Sequence, residues 1–175
     1  WARKGRTLRL IGRLPAALDA YDQALQLNPA YAWAWKGKGV VLERLGRTEE
    51  ALACHRAATQ IAPDDVWNWM NQAEVLRTMG RNEEALAALQ RALEADPEHA
   101  PSWGRLGQLE RTLGHLRAAV EAYRRATELD PAYGWAHNGC GLALRELGQP
   151  AEALLCFKRA ARYQPEIVWH WYNLT

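Results

Sequence analysis

Residues 32–65 read AWAWKGKGVVLERLGRTEEALACHRAATQIAPDD, and the landmarks of this stretch return along the chain every 34 residues. Pro63 belongs to the series Pro29, Pro63, Pro97, Pro131 and Pro165, and Gly46 to Gly12, Gly46, Gly80, Gly114 and Gly148. Ala51 and Ala58 each belong to series of their own, Ala17, Ala51, Ala85, Ala119, Ala153 and Ala24, Ala58, Ala92, Ala126, Ala160. Trp35 falls in phase with Trp1, Trp69, Trp103 and Trp171, and His137 is the one substitution. Coincident series with one period specify a stack of similar units, each burying its apolar face against the next.

Each unit divides into two helical segments. AWAWKGKGVVLERLG and EEALACHRAATQIAP carry small or apolar side chains at three- and four-residue intervals, the pattern of an amphipathic helix. Gly46 and its equivalents stand where the first helix must stop, because glycine adopts the left-handed cap conformation at little cost. Pro63 and its equivalents follow the second helix, which a proline cannot continue. Gly39, Ala73, Gly107 and Gly141 share one position of the first helix, where a larger side chain would push the packing partner outward. Trp35, Leu42, Leu45 and Leu52 are expected to fill the space between layers.

The chain of 175 residues is 49% hydrophobic, enough for a packed core, and its 22 basic against 20 acidic residues leave a formal charge of +2. So even a balance announces neither a nucleic-acid nor a membrane surface. No apolar run reaches the roughly 18 residues that a bilayer span needs. Cys54, Cys140 and Cys156 form no CxxC pair, which fits a reducing, cytoplasmic setting. The chain starts at Trp1, so a removed targeting segment stays open.

Chemistry finds little support. His55, His99, His115, His137 and His170 are scattered, with no HExxH and no cysteine pair, so no metal site is selected. Gly37-Lys38-Gly39 lies inside a helix and lacks the spacing of a phosphate loop, and Ser102 is the single serine. No cofactor is implied, and this segment reads as non-enzymatic.

Trp35, Gly39, Leu42, Gly46, Ala51, His55, Ala58 and Pro63 resemble the tetratricopeptide repeat, and the likeness extends over essentially the whole chain. On this comparison the repeats run 1–31, lacking three residues, then 32–65, 66–99, 100–133 and 134–167, with a partial unit at 168–175. Lys4, Lys38 and Gln72 depart from the usual leucine, Ala73 from glycine, and Glu110 from an aromatic or leucine. A lysine there can thread its aliphatic stem through the core and keep its amine in water, and Glu110 marks a weaker packing layer. The resemblance implies an all-α fold, a right-handed superhelical solenoid of antiparallel helix pairs whose first helices line a concave face. Relatives bind peptides there.

The family comparison places the second position of each first helix in that groove, giving a ladder of Trp33, Trp67, Trp135 and Trp169, interrupted by Pro101. Arg9, Arg77, Arg111 and Arg145 recur at the twelfth position, with Glu43 the exception, and Arg6, Lys36 and Arg105 add charge while Glu74 and Glu146 subtract it. Arginine beside tryptophan suits a ligand with carboxylates and apolar side chains. The tryptophans could instead pack against neighbouring helices, and the charges could form a solvated face of i,i+4 pairs. Some eukaryotic cochaperones of the family grip a C-terminal carboxylate with five residues. Lys36, Asn71 and Arg105 match three of them, but Val40 and Pro101 occupy the other two, so a complete clamp is absent.

The expected function is therefore a protein-interaction module that holds an acidic, aromatic peptide or protein segment in the groove. Two alternatives stand beside it. Trp169 and Trp171 would expose apolar surface at a solenoid end and invite self-assembly into a homo-oligomer. The arginines and tryptophans could track single-stranded nucleic acid, although Glu43, Glu74 and Glu146 count against this.

Overall fold

The computed structural model describes residues 1–165, and Trp169, His170, Trp171 and the partial sixth repeat lie outside the described residues. The described residues form α1 (Ala2–Leu10), α2 (Leu14–Leu27), α3 (Ala32–Arg44), α4 (Thr48–Ile61), α5 (Val66–Thr78), α6 (Asn82–Ala95), α7 (Ala100–Thr112), α8 (Leu116–Leu129), α9 (Gly134–Glu146) and α10 (Pro150–Tyr163), with no strand among them. They divide into two compact units, one from Trp1 to Asp96 and the other from Pro97 onward. In the first, α1/α2, α3/α4 and α5/α6 are helical hairpins, and α3 packs on both α1 and α5. In the second, α7/α8 and α9/α10 are the hairpins, and α9 packs on α7 and α8.

Each hairpin turn closes in the same way. Gly12, Gly46, Gly80, Gly114 and Gly148 have φ between 73° and 80°, and a Cβ on any of them would meet nothing within 4 Å. Conformation, and not space, requires glycine there. At Gly46 the glycine N–H donates to Glu43 O at 3.0 Å and the Arg47 N–H to Leu42 O at 2.9 Å, the two bonds of a Schellman cap.

The tryptophan and proline series are coupled. Nε1 of Trp35, Trp69 and Trp103 donates to the carbonyls of Pro29, Pro63 and Pro97 at 2.8, 2.7 and 2.9 Å. The half-buried indole thus ties each first helix to the turn that precedes it and satisfies the proline carbonyl of that turn. His137 keeps the bond with Nε2 at 3.0 Å from Pro131 O. It is buried and stacks on Tyr163, with ring centroids 5.8 Å apart. This bond explains why a histidine can stand in the tryptophan series.

The small residues of the first helices make room for rings. An ideal Cβ on Gly39 would lie 2.5 Å from the His55 ring, on Gly107 2.9 Å from Tyr123, and on Gly141 2.5 Å from Phe157. The hairpin that carries Ala73 instead has Leu89, and no ring, at that position of α6. Tyr21 and Tyr123 reach further. The Tyr21 ring is held between Gly5 of its own hairpin and Gly37 of the next, whose Cβ positions would stand 3.1 and 2.4 Å away. Tyr123 is held in the same way between Gly107 and Gly139. The alanine series lines the cores, with Ala17, Ala51, Ala85 and Ala119 fully buried.

One expectation needs revision and two gain detail. Leu45 does not fill a layer: it is the cap residue of α3 and is 38% exposed. Glu110 keeps little exposure and turns to the hairpin end, where Oε2 lies 2.7 Å from His115 Nδ1, so the departure is absorbed by a local partner. Lys38 does thread past the Trp35 ring, but its Nζ ends 2.6 Å from Asp22 Oδ1, on the preceding hairpin.

Candidate functional site

In the first unit, α1, α3 and α5 border a cavity of about 610 Å³. Trp33, Lys36, Trp67 and Asn71 meet there, joined by Arg6, Arg9, Tyr21, Gly37 and Val40. No acidic side chain is in this lining, so the cavity is more basic than the chain as a whole. Among the described residues neither Arg6 nor Arg9 forms an ion pair, whereas Lys36 Nζ lies 2.8 Å from Asp65 Oδ2. Asp65 also caps α5, its Oδ1 accepting from the Trp67 N–H at 3.0 Å. Lys36 thereby ties α3 to the start of α5. A neighbouring cavity of about 730 Å³ shares Arg6 and Trp33 with it and adds Arg3, Thr7, Leu10 and Tyr31.

The two tryptophans of the first unit stand in different surroundings. Trp33 meets Tyr21 edge-on at 6.4 Å between centroids and stacks on Tyr31 at 6.0 Å. Trp67 follows Asp65 where Trp33 follows Tyr31, and is 51% exposed. Burial pushes the Tyr21 hydroxyl above its ordinary pKa, and the hydrogen bond and charge of Arg9, then Arg6, oppose this. Two guanidinium groups thus face the wall of the cavity.

The arginine series has a partner series twelve residues on. Arg9 stands beside Tyr21, Arg111 beside Tyr123, and Arg145 lies over the Phe157 ring at 5.8 Å. Glu43, the exception, accompanies His55, and its Oε1 lies 2.7 Å from Nε2 of this fully buried ring. The exception is therefore compensated inside one hairpin. Arg77, whose hairpin has Leu89, makes a two-pronged pair with Glu74 at 2.7 and 3.1 Å, which raises its pKa. It does not line the cavity.

In the second unit, Trp135 sits edge-on to Tyr123 at 6.0 Å and tilted on Tyr133 at 5.7 Å. Its ring also covers Gly104, and the Arg105 guanidinium lies 5.2 Å over it. Arg105 Nη1 donates to Gln108 Oε1 at 2.9 Å, and Arg111 Nη1 reaches Glu146 Oε1 at 2.7 Å. Arg145 is exposed. Burial pushes the Tyr123 hydroxyl up to about 12, against the influence of Arg111. Trp169 lies outside the described residues.

Sequence reasoning missed the pairing of the twelfth-position residue with the ring, although Glu43 and His55 departing together carried the signal. It also missed Tyr31 and Tyr133 as supports for Trp33 and Trp135. Among the described residues no group of three or more His, Cys, Asp or Glu side chains could hold a metal ion, and no helix is long and apolar enough to cross a membrane.

Family models described as tetratricopeptide repeat match residues 33–75, 64–132 and 134–167, and one described as TPR repeat matches residues 5–46. Among solved structures, MamA is 22% identical, with 93% of this chain and 95% of that chain covered and a TM-score of 0.83. YrrB, described as a TPR protein with an unusual peptide-binding site, is 24% identical, with coverage of 96% and 87% and a TM-score of 0.76. A thermophilic TPR protein in Thermus thermophilus is 23% identical, with coverage of 99% and 94% and a TM-score of 0.76. No curated protein matches the chain.

Proposed function

Because the chain belongs to the tetratricopeptide repeat family, a family of non-catalytic interaction scaffolds, we propose that its first unit holds a peptide segment bearing a carboxylate and a large apolar side chain. The observation that carries this reading is the pairing, in one cavity of about 610 Å³, of Arg6 and Arg9, neither in an ion pair, with the half-exposed Trp67. A guanidinium accepts a carboxylate in two-pronged geometry, and an indole supplies apolar area at small entropic cost. Trp33, held by Tyr21 and Tyr31, is a pre-ordered wall. Asn71 adds an amide that can bond the backbone of an extended ligand. YrrB, alike in fold, is described as having a peptide-binding site.

In this reading Lys36 sets the position of α5, Arg77 and Arg145 serve their own hairpins, and Arg111 ties its hairpin to the next through Glu146. Arg105 and Trp135 make a second aromatic and cationic surface in the other unit, of secondary weight because Trp135 already packs on two tyrosines and a glycine.

A peptide-display selection on the purified chain, followed by titration of the enriched peptide, tests the proposal. Trp67→Ala and Arg6→Ala are each expected to weaken binding by about 30-fold, the scale of an interface hot spot. Arg81→Ala, in the α5/α6 turn, is expected to leave it unchanged. Equal effects of all three, or enrichment indifferent to Trp67, would overturn the assignment. Capture of single-stranded nucleic acid with steep salt dependence would replace it with the phosphate reading.

A further inference from the structure

Cys140 and Cys156 are 16 residues apart in the chain, in no cysteine motif, yet the α9/α10 hairpin brings them together. Its register is set one residue further along each helix, where Gly141 receives the Phe157 ring. Cys140 is almost fully buried and Cys156 half-buried, both packed in the core cluster of this hairpin. Each thiol has the other as its strongest electrostatic neighbour. In the other described hairpins the same two positions hold Lys4 with Ala20, Lys38 with Cys54, Gln72 with Ala88, and Leu106 with Ala122. A facing thiol pair therefore belongs to the last described hairpin, in place of the ordinary mix of a long and a small side chain.

We propose that Cys140 and Cys156 are a reversible dithiol–disulfide pair that staples α9 to α10, oxidised by exchange with a low-molecular-weight disulfide. Cys156, the more accessible, attacks as thiolate and breaks the S–S bond of the small disulfide, releasing one small thiolate. Cys140 then gives up its proton, attacks the Cys156 sulfur and expels the second small thiolate. One protein disulfide forms, and the two small thiolates leave as thiols after taking up the two thiol protons. The neighbouring Cys140 thiol lowers the pKa of the Cys156 thiol, and burial opposes this. The attacking sulfur is thus more readily ionised than an ordinary thiol. Cys54 contrasts, its thiol pushed up to about 11 by burial.

The test is intact-mass thiol counting. The chain is incubated with oxidised glutathione, quenched, denatured and alkylated with a maleimide. The reduced chain, with its 3 cysteines, should take three labels, and the oxidised chain one, at Cys54. Peptide mapping should show one Cys140–Cys156 bridge. Native trypsin should cut after Lys158 and Arg159 of α10 more slowly in the oxidised form, and reduction should restore cleavage. A glutathione adduct persisting on Cys156 while Cys140 still takes label would overturn the proposal, as would bridges between chains. Cys54→Ser, which leaves the pair intact, should oxidise like the parent, and its failure to do so would count equally against the idea.

Discussion

Replacing Gly141 by alanine and Phe157 by leucine, singly and together, tests whether the ring-and-glycine match sets the hairpin packing. A Cβ on Gly141 would stand 2.5 Å from Phe157 Cε1, about 0.9 Å inside the 3.4 Å at which ordinary contact begins. The 2% exposed ring has little room to retreat, so overpacking should cost about 1–3 kcal/mol. Alanine returns about 1 kcal/mol of helix propensity, leaving a net loss of roughly 1 kcal/mol. With Leu at 157, as Leu89 accompanies Ala73 in the α5/α6 hairpin, the clash disappears and the propensity gain remains. The double-mutant cycle should therefore give a favourable coupling of about 1–3 kcal/mol, read from urea midpoints at unchanged slope. Additivity within about 0.5 kcal/mol would refute the reasoning.

Gly46→Ala, at φ 74°, should cost about 1–2 kcal/mol despite the open space around it, and an unchanged urea midpoint would contradict the cap assignment. Glu43→Ala removes the partner of a buried imidazole and should cost about 1–3 kcal/mol by the same assay, whereas Glu50→Ala, which breaks an exposed pair with Arg47, should cost well under that. His137 has its pKa lowered from 6.5, mainly by burial. Its neutral form is thus favoured in the folded state, and its contribution is complete above pH 6.5 and lost as pH falls below that value toward the folded pKa. Melting temperatures between pH 7.5 and 5 should show this slope, and His137→Trp, which restores the indole bond of the other repeats, should flatten it. An equal slope in both proteins would refute the assignment.

Much of this fold was legible because the residues that end helices and the residues that pack them repeat in phase. Gly46 and Pro63 punctuate by backbone conformation, a local property that needs no knowledge of neighbours. Position in the repeat groups Trp33, Lys36, Trp67 and Asn71, which border one cavity, and it also groups Arg77, which does not. Which of them is available was not legible, because that depends on atoms from other helices. Asp65 engages Lys36, and Tyr21 supports Trp33, through contacts 29 and 12 residues away in sequence. The ring under each arginine was readable in principle from Glu43 and His55 changing together. Cys140 and Cys156 were not, since helices of 13 and 14 residues meeting at a glycine turn give a spacing that matches no cysteine motif.

The tyrosine wedged between glycines of two hairpins has a consequence for how such an array can be shortened or rearranged. Tyr21 needs Gly37 on the hairpin that follows it, and Asn71 stands at the equivalent place one repeat later. Excising residues 32–65 would splice Tyr21 against Asn71, whose Cβ would fall where only 2.4 Å separates the phenol carbon from the site. Two hairpins of nearly identical backbone are then not interchangeable bricks. Each carries half of a matched joint, and gene duplication or loss within the array must keep the halves together or remake them by mutation.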